Sequence, residues 1–191
     1  MSQALPQSFY ARDTIRVARA LLGCVLETRV RGVRTSGRIV EVEAYVGPHD
    51  PAAHGFGHRR TPRNDRLFGP PGMAYVYFVY GMHWCVNAVT ESDGYPAAVL
   101  IRALEPLHGL PVMRRRRKGA ADASLCAGPG RLCQALGITG ALNGSSLAGP
   151  AIRIAPRTGR PPVAVGPRIG IRRAVDWPLR FWLRESPWRS R

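Results

Sequence analysis

Glycine and proline together occupy 38 of the 191 positions, 21 and 17 respectively, about a fifth of the chain. Punctuation that frequent leaves little room for long helices and favours short elements joined by tight turns. It stays below the level that marks disorder. The length fits one domain able to bury its own core without disulfide or metal staples. A hydrophobic share of 45% agrees with an ordinary globular protein.

The pattern along the chain fits this expectation. Residues 12–22 read as an amphipathic helix, with Asp13 as N-cap and Gly23 at the C-cap. Two strands follow, 24–33 and 37–46, with a turn near Arg34–Ser36. Residues 47–72 form a long loop rich in Gly, Pro, His and Arg, a length usually reserved for function. The clearest hairpin joins 74–80 to 83–90 around Gly81 and Met82, and 97–104 is another strand. Helices are expected over 110–118 and 130–136, and short strands alternate with turns from about residue 150 onward. There is no internal repeat and no βαβ rhythm. The fold class is α+β, built on antiparallel strands.

Charge narrows the function. Lys plus Arg number 28 against 12 Asp plus Glu, giving +16, and all but one of the cations are arginine, the exception being Lys118. Such an excess implies a polyanionic partner, with nucleic acid foremost. A ribosome-associated protein or an Arg-rich proteome would leave the same composition. No basic-then-apolar leader opens the sequence, and no apolar run approaches the ~18 residues of a spanning helix. Cys24, Cys85, Cys126 and Cys133 form no CxxC pair, so they read as small buried residues in a reducing compartment. The expectation is a cytoplasmic protein without a metal site or membrane association.

One strand carries candidate chemistry. In Arg38–Val46 a period of two puts Val40, Val42, Ala44 and Val46 on one face, expected to be the core face. Ile39, Glu41, Glu43 and Tyr45 take the other. The plain reading of that second face is a solvated one, its glutamates paired with arginines. Arg102 argues otherwise. It interrupts an apolar strand, and a guanidinium there needs a carboxylate, with Glu43 and Glu105 as candidates. A buried Arg–Glu pair can be structural, or it can keep a general base ionised and aimed.

Five of the fifteen aromatic residues fall within ten positions: Tyr75, Tyr77, Phe78, Tyr80 and Trp84. Phe78 and Trp84 suit core packing, whereas Tyr80 beside Gly81 is placed to wedge into a duplex. His54 and the run His58–Asn64 suit phosphate contact on the long loop. Residues 125–132 resemble half of a helix-hairpin-helix motif but read as a turn into a capped helix, without paired helices. Arg114–Lys118 reads as a solvated helix end.

Several ungapped blocks then point one way. The strings RIVEVEAYVGPHDPAAH (38–54), RTPRN (60–64), YVYFVYGMHWCVN (75–87) and LIRALEPL (100–107) closely resemble the alkyladenine (3-methyladenine) DNA glycosylase family. CAGPGRLCQALGI (126–138), PRIGI (167–171), PLRFW and SPW extend the likeness over nearly the whole chain. The resemblance implies one glycosylase domain over 1–191, a curved antiparallel sheet with a protruding hairpin, and short helices around it. It implies Glu43 as general base, with Arg102 and the carbonyl of Ile169 helping to hold the attacking water. Tyr45 and His54 would form one wall of a flipped-base pocket with Tyr77 as the opposite wall, and Asn87 would discriminate against the exocyclic amine of guanine. Tyr80 would be the wedge, flanked by Met82, and Arg59 and Thr61 would meet DNA.

The implied partner is double-stranded DNA carrying damaged purines, bound by a monomer without cofactor in a bacterial cytoplasm. Lesions would be 3-methyladenine and 7-methylguanine, with hypoxanthine and ethenoadenine as further candidates. Strand-cutting glycosylases use an amine nucleophile. The lone Lys118 lies away from the expected pocket, which implies a monofunctional enzyme. His83 stands where family members commonly carry another aromatic. A two-residue hairpin turn would put Tyr77 and Asn87 on opposite faces. A three-residue turn over Gly81–His83, pairing Tyr77 directly with Asn87, is therefore expected. Two other classes fit the composition: a noncatalytic lesion-binding module, and a ribosome- or RNA-associated basic protein.

Overall fold

The computed structural model describes residues 3–190. Two short helices, α1 (Gln7–Tyr10) and α2 (Thr14–Leu21), lead into the strand pair β1 (Val25–Val30) and β2 (Val33–Tyr45). Asp13 caps α2 as expected, its carboxylate accepting from the Arg16 N–H at 2.8 Å. The turn between β1 and β2 lies at Arg31–Gly32 rather than 34–36, with φ of +51° and +76°. Two consecutive left-handed residues make the tight hairpin turn whose twist matches its strands, and β2 gains length as a result.

After the long loop come β3 (Ala74–Val79), β4 (His83–Thr90) and β5 (Ala97–His108), then α3 (Leu110–Arg116), α4 (Asp122–Leu125) and α5 (Pro129–Leu136). Three short strands follow: β6 (Ile152–Ala155), β7 (Val163–Gly166) and β8 (Arg180–Leu183). All strands belong to one antiparallel sheet in the order β3-β4-β5-β2-β1-β6, with β8 pairing with β2 and β7. The fold is a single α+β domain with a curled sheet, as the sequence implied.

Curvature originates in β2. Its first half pairs with β1 and its second half with β8, while β5 runs along its other edge. The β2–β5 register slips on both sides of Glu41. Such bulges bend a strand and re-aim its side chains. This overturns the expected facing of β2: Ile39 joins Val42 and Ala44 in the main core, where strict alternation would exclude it. Nor is the second face solvated, because Glu41 and Glu43 are both fully buried.

The main core lies under one face of the sheet, where α2 (Val17, Ala18, Leu21) and α5 (Leu132, Cys133, Leu136) pack. A smaller cluster of Leu67, Phe68, Tyr75, Val89 and Ala98 occupies the opposite face of β3–β5. It anchors the 47–72 loop, which is less irregular than its composition suggested. Tight helical turns form at Phe56–His58 and Asp65–Phe68.

The 114–118 block does more than face solvent. Arg114 makes two 2.7 Å bonds to Asp122, Arg116 donates to the Ala135 carbonyl at 3.0 Å, and Arg117 donates to Gln134 at 2.8 Å. These contacts fasten α3 to α4 and α5. The Gly128 turn therefore does have helix on both sides, although α4 is a single turn.

Candidate active site

Alternate residues of four adjacent strands converge on the face opposite the main core: Tyr75 and Tyr77 from β3, Cys85 and Asn87 from β4, Leu100 and Arg102 from β5, Glu43 and Tyr45 from β2. The 47–72 loop contributes His54, and the strap after β7 contributes Ile169–Arg173. Together they line a cavity of about 570 Å³. A period of two places side chains on one face of a sheet, so a curled sheet gathers them into a bowl.

Glu43 sits on the floor. One oxygen, Oε1, accepts from the backbone N–H of Ile169 at 2.8 Å and lies 3.2 Å from Nη1 of Arg102. The other, Oε2, accepts from the Tyr45 hydroxyl at 2.9 Å. Burial pushes its carboxyl above the ordinary value, and Arg102, the Ile169 amide and the Tyr45 hydroxyl oppose the shift. The donors favour the ionised form but do not fully offset desolvation. Arg102 also lies 3.3 Å from Glu41. Its carboxylates are thus Glu43 and Glu41. The alternative candidate, Glu105, pairs with Arg38 instead, which stands opposite it across β2 and β5.

The walls are aromatic. The His54 ring meets Tyr77 edge-on with centroids 4.5 Å apart, and its Nδ1 lies 2.9 Å from the Tyr75 hydroxyl. This corrects the expected arrangement: rings in contact leave no room for a base between them, so His54 shares a wall with Tyr77 and not with Tyr45. Desolvation of the ring and the nearby Arg63 charge push the His54 pKa down. Burial raises the Tyr45 and Tyr77 hydroxyls, and pushes Cys85 up to about 11, so none of them titrates near neutrality. Tyr45 is backed by the Arg168 guanidinium, 4.7 Å from its ring centroid. Arg168 is itself held by Asp50 through two bonds of 2.5 and 2.8 Å, both side chains fully buried. Asn87 donates to the Tyr75 carbonyl at 3.0 Å, which fixes its amide.

The hairpin turn has the expected three residues, but they are Tyr80, Gly81 and Met82. Tyr77 consequently pairs with Cys85, and Asn87 with Tyr75. The pairing moves by two positions, so Asn87 stays on the cavity face. The turn shifts because Tyr80 itself adopts φ +54°, followed by Gly81 at +66°. Left-handed backbone at a tyrosine is uncommon and is not signalled by sequence. Tyr80 and Met82 project at the tip, 77% and 67% exposed. His83 lies at the cavity mouth against Gly130, where a β-carbon would come within 2.9 Å of its ring.

The structure gives Arg59 and Thr61 a different immediate surrounding. Arg59 is exposed, and Thr61 donates through its amide and hydroxyl to Asn64 at 2.6 and 3.0 Å. Asn64 in turn donates to the carbonyls of His54 and Arg59 at 2.8 and 2.9 Å. This one buried side chain holds the loop in shape, a role not assigned from sequence although Asn64 ends the RTPRN string. Asp50, Arg168 and Glu41 were likewise without a role. Among the described residues, no three His, Cys, Asp or Glu side chains converge as a metal site would require. No helix among them is long and apolar enough to cross a membrane.

Comparison with known proteins decides the family. The model of the family described as methylpurine-DNA glycosylase (MPG) matches residues 8–187. The chain belongs to the methylpurine-DNA glycosylase family. It is thereby a DNA glycosylase, a hydrolase of base excision repair. Relatives named "Putative 3-methyladenine DNA glycosylase" agree along their length. One from Rhodopseudomonas palustris is 52% identical over 98% of this chain and 88% of its own. One from Methanoculleus marisnigri is 50% identical over 98% of each chain. One from Myxococcus xanthus is 49% identical over 95% and 91%.

Proposed function

We propose that this glycosylase flips alkylated purines, foremost 3-methyladenine and 7-methylguanine, out of duplex DNA and hydrolyses their glycosidic bond with water activated by Glu43. The observation that carries the reading is a buried carboxylate, supplied with three donors, at the floor of an aromatic bowl open to solvent. A base inside a duplex hides its glycosidic bond, so extrusion must precede chemistry, at a cost of a few kcal/mol. Tyr80 fills the vacated place in the stack, with Met82 beside it. Arg59 and Thr61 lie on the loop that faces DNA, with Asn64 supporting them.

The flipped base stacks between Tyr77 and His54 on one side and Tyr45 on the other. An N3- or N7-alkylated purine is cationic, and each aromatic face attracts it by ~0.5–2 kcal/mol. The downward shift at His54 disfavours the charged ring that would repel such a base. The fixed amide of Asn87 disfavours the exocyclic amine of unmodified guanine.

Glu43 accepts a proton from water as its oxygen bonds to the anomeric carbon. The C1′–N bond breaks, its electron pair goes to the base, and the cationic purine departs neutral. Arg102 keeps Glu43 ionised and, with the Ile169 carbonyl, holds the water. Lys118, the only lysine, is exposed at the end of α3 and does not line the cavity. Among the described residues no lysine is thus placed for Schiff-base chemistry, and an abasic site is the product. We read the protein as one domain acting as a monomer.

The reading is tested by incubating methylated duplex DNA with the protein and resolving free bases by chromatography. Release of 3-methyladenine, leaving abasic sites and an uncut strand, is expected. Tight binding without release would mark a lesion-binding module, and borohydride-trapped strand cleavage would contradict the hydrolytic mechanism.

A further inference from the structure

The chemistry above uses Glu43 and leaves its neighbour Glu41 idle, yet Glu41 is the most heavily bonded side chain near the floor. Fully buried, its Oε1 accepts from Arg180 Nη1 at 3.0 Å and from the Ser190 hydroxyl at 3.0 Å. Its Oε2 accepts from the Ser190 backbone N–H at 2.6 Å. The Ser190 hydroxyl has a second bond, accepting from Arg102 Nε at 2.9 Å. A serine hydroxyl has one proton to give and lone pairs to accept with. Here the proton goes to Glu41 and a lone pair receives Arg102.

Resting on the reading of Glu43 as the base, we propose that Ser190 is a positioning residue whose hydroxyl latches Arg102 to Glu41 and so keeps Arg102 Nη1 against Glu43. The geometry of the guanidinium is the reason. It is planar, with donors in a fixed fork, so fixing Nε fixes the direction of Nη1. Two buried carboxylates compete for this one cation, 3.3 and 3.2 Å away. Nε is caught between the Ser190 hydroxyl and Glu41, while Nη1 is left for Glu43. Without the hydroxyl, rotation about the last side-chain bonds lets Arg102 engage Glu41 more fully at the expense of Glu43. Arg180 and the Ser190 amide already hold Glu41, so the carboxylate itself stays in place.

The consequence is electrostatic. The groups facing Glu43 are Arg102 from β5, Cys85 from β4 with Tyr77 bonded to it from β3, Tyr45 and Glu41 from β2, and the Ile169 amide from the strap. Among the described residues in this group Arg102 is the one cation, and it opposes the upward push of burial. Loosening it therefore raises the Glu43 pKa, and the pH range in which the base is ionised retreats upward.

Ser190→Ala isolates the hydroxyl, because the backbone N–H to Glu41 remains. Single-turnover release of base from methylated duplex DNA should fall about tenfold at neutral pH, the usual weight of a hydrogen bond to a charged group. The acidic limb of the rate–pH profile should move to higher pH, with affinity for the methylated duplex unchanged. Ser190→Thr, which keeps the hydroxyl, should restore both rate and limb. An unchanged rate and limb in Ser190→Ala would overturn the inference, as would a slower enzyme with an unmoved limb. Absence of release by the wild type would instead overturn the reading of the site itself, so the two failures are told apart.

Discussion

Desolvation and hydrogen bonding pull Glu43 in opposite directions, and under the proposed mechanism that balance sets the pH at which the enzyme works. Because burial leaves its carboxyl above the ordinary value, a base at this position loses its proton at higher pH than an exposed glutamate would. Activity should therefore rise with pH along an acidic limb displaced upward from that of an exposed glutamate. Tyr45→Phe refines the point. It keeps the ring proposed to stack on the base but removes a hydroxyl donated at 2.9 Å to Glu43. Losing a donor to the charged form raises the pKa, so the limb should move to still higher pH while lesion affinity stays close to that of wild type. A limb that moves down, or does not move, in a rate–pH series would contradict this assignment of the Tyr45 hydroxyl.

At the scale of elements, the site depends on how two irregular segments are pinned to the sheet. The 47–72 loop and the 167–173 strap meet in the buried Asp50–Arg168 pair, and Arg168 also donates to the Ala44 carbonyl at 3.0 Å. Removing one partner of a buried pair strands the other charge, at a cost of about 3–5 kcal/mol. Asp50→Ala should lower the melting temperature by on the order of 10 °C for a domain of this size. Because Arg168 backs Tyr45 and the strap carries Ile169, base release should fall as well. A thermal melt and an activity assay on the same preparation check both.

Much of this element-level order was legible in the sequence, and the exceptions have definite causes. Glu43 and Arg102 stood out because charge in apolar strands demands partners. Of the two candidates for Arg102, Glu43 is a partner and Glu105 is not, because proximity along a chain says nothing about register, and the bulges beside Glu41 turn the Glu41 carboxylate inward to Arg102 instead. The hairpin's turn length followed from requiring Tyr77 and Asn87 on one face, but a left-handed Tyr80 displaced the turn by one residue. The Asp50–Arg168 and Glu41–Ser190 contacts span 118 and 149 positions. Topology alone creates such pairs, and no local pattern announces them.

For the whole molecule, the dominant property is a net charge of +16. Exposed Arg172 and Arg173 on the strap line the cavity, and Arg59 is exposed on the 47–72 loop. Each phosphate neutralised adds about −0.9 to the slope of log affinity against log salt concentration. Binding to a methylated duplex should show a slope of about −4 or steeper, that is, roughly four or more phosphates engaged. A flat titration would mean that the charge serves something other than DNA.

The central claim is that Glu43 performs the chemistry inside a pocket that recognises the base without it. Comparing wild type with Glu43→Gln on one methylated duplex tests this most directly, with free-base release and duplex affinity measured side by side. The account predicts that release collapses in Glu43→Gln while affinity for the methylated duplex persists. Undiminished release by the variant would contradict it, because the glycosidic bond would then be broken without the carboxylate.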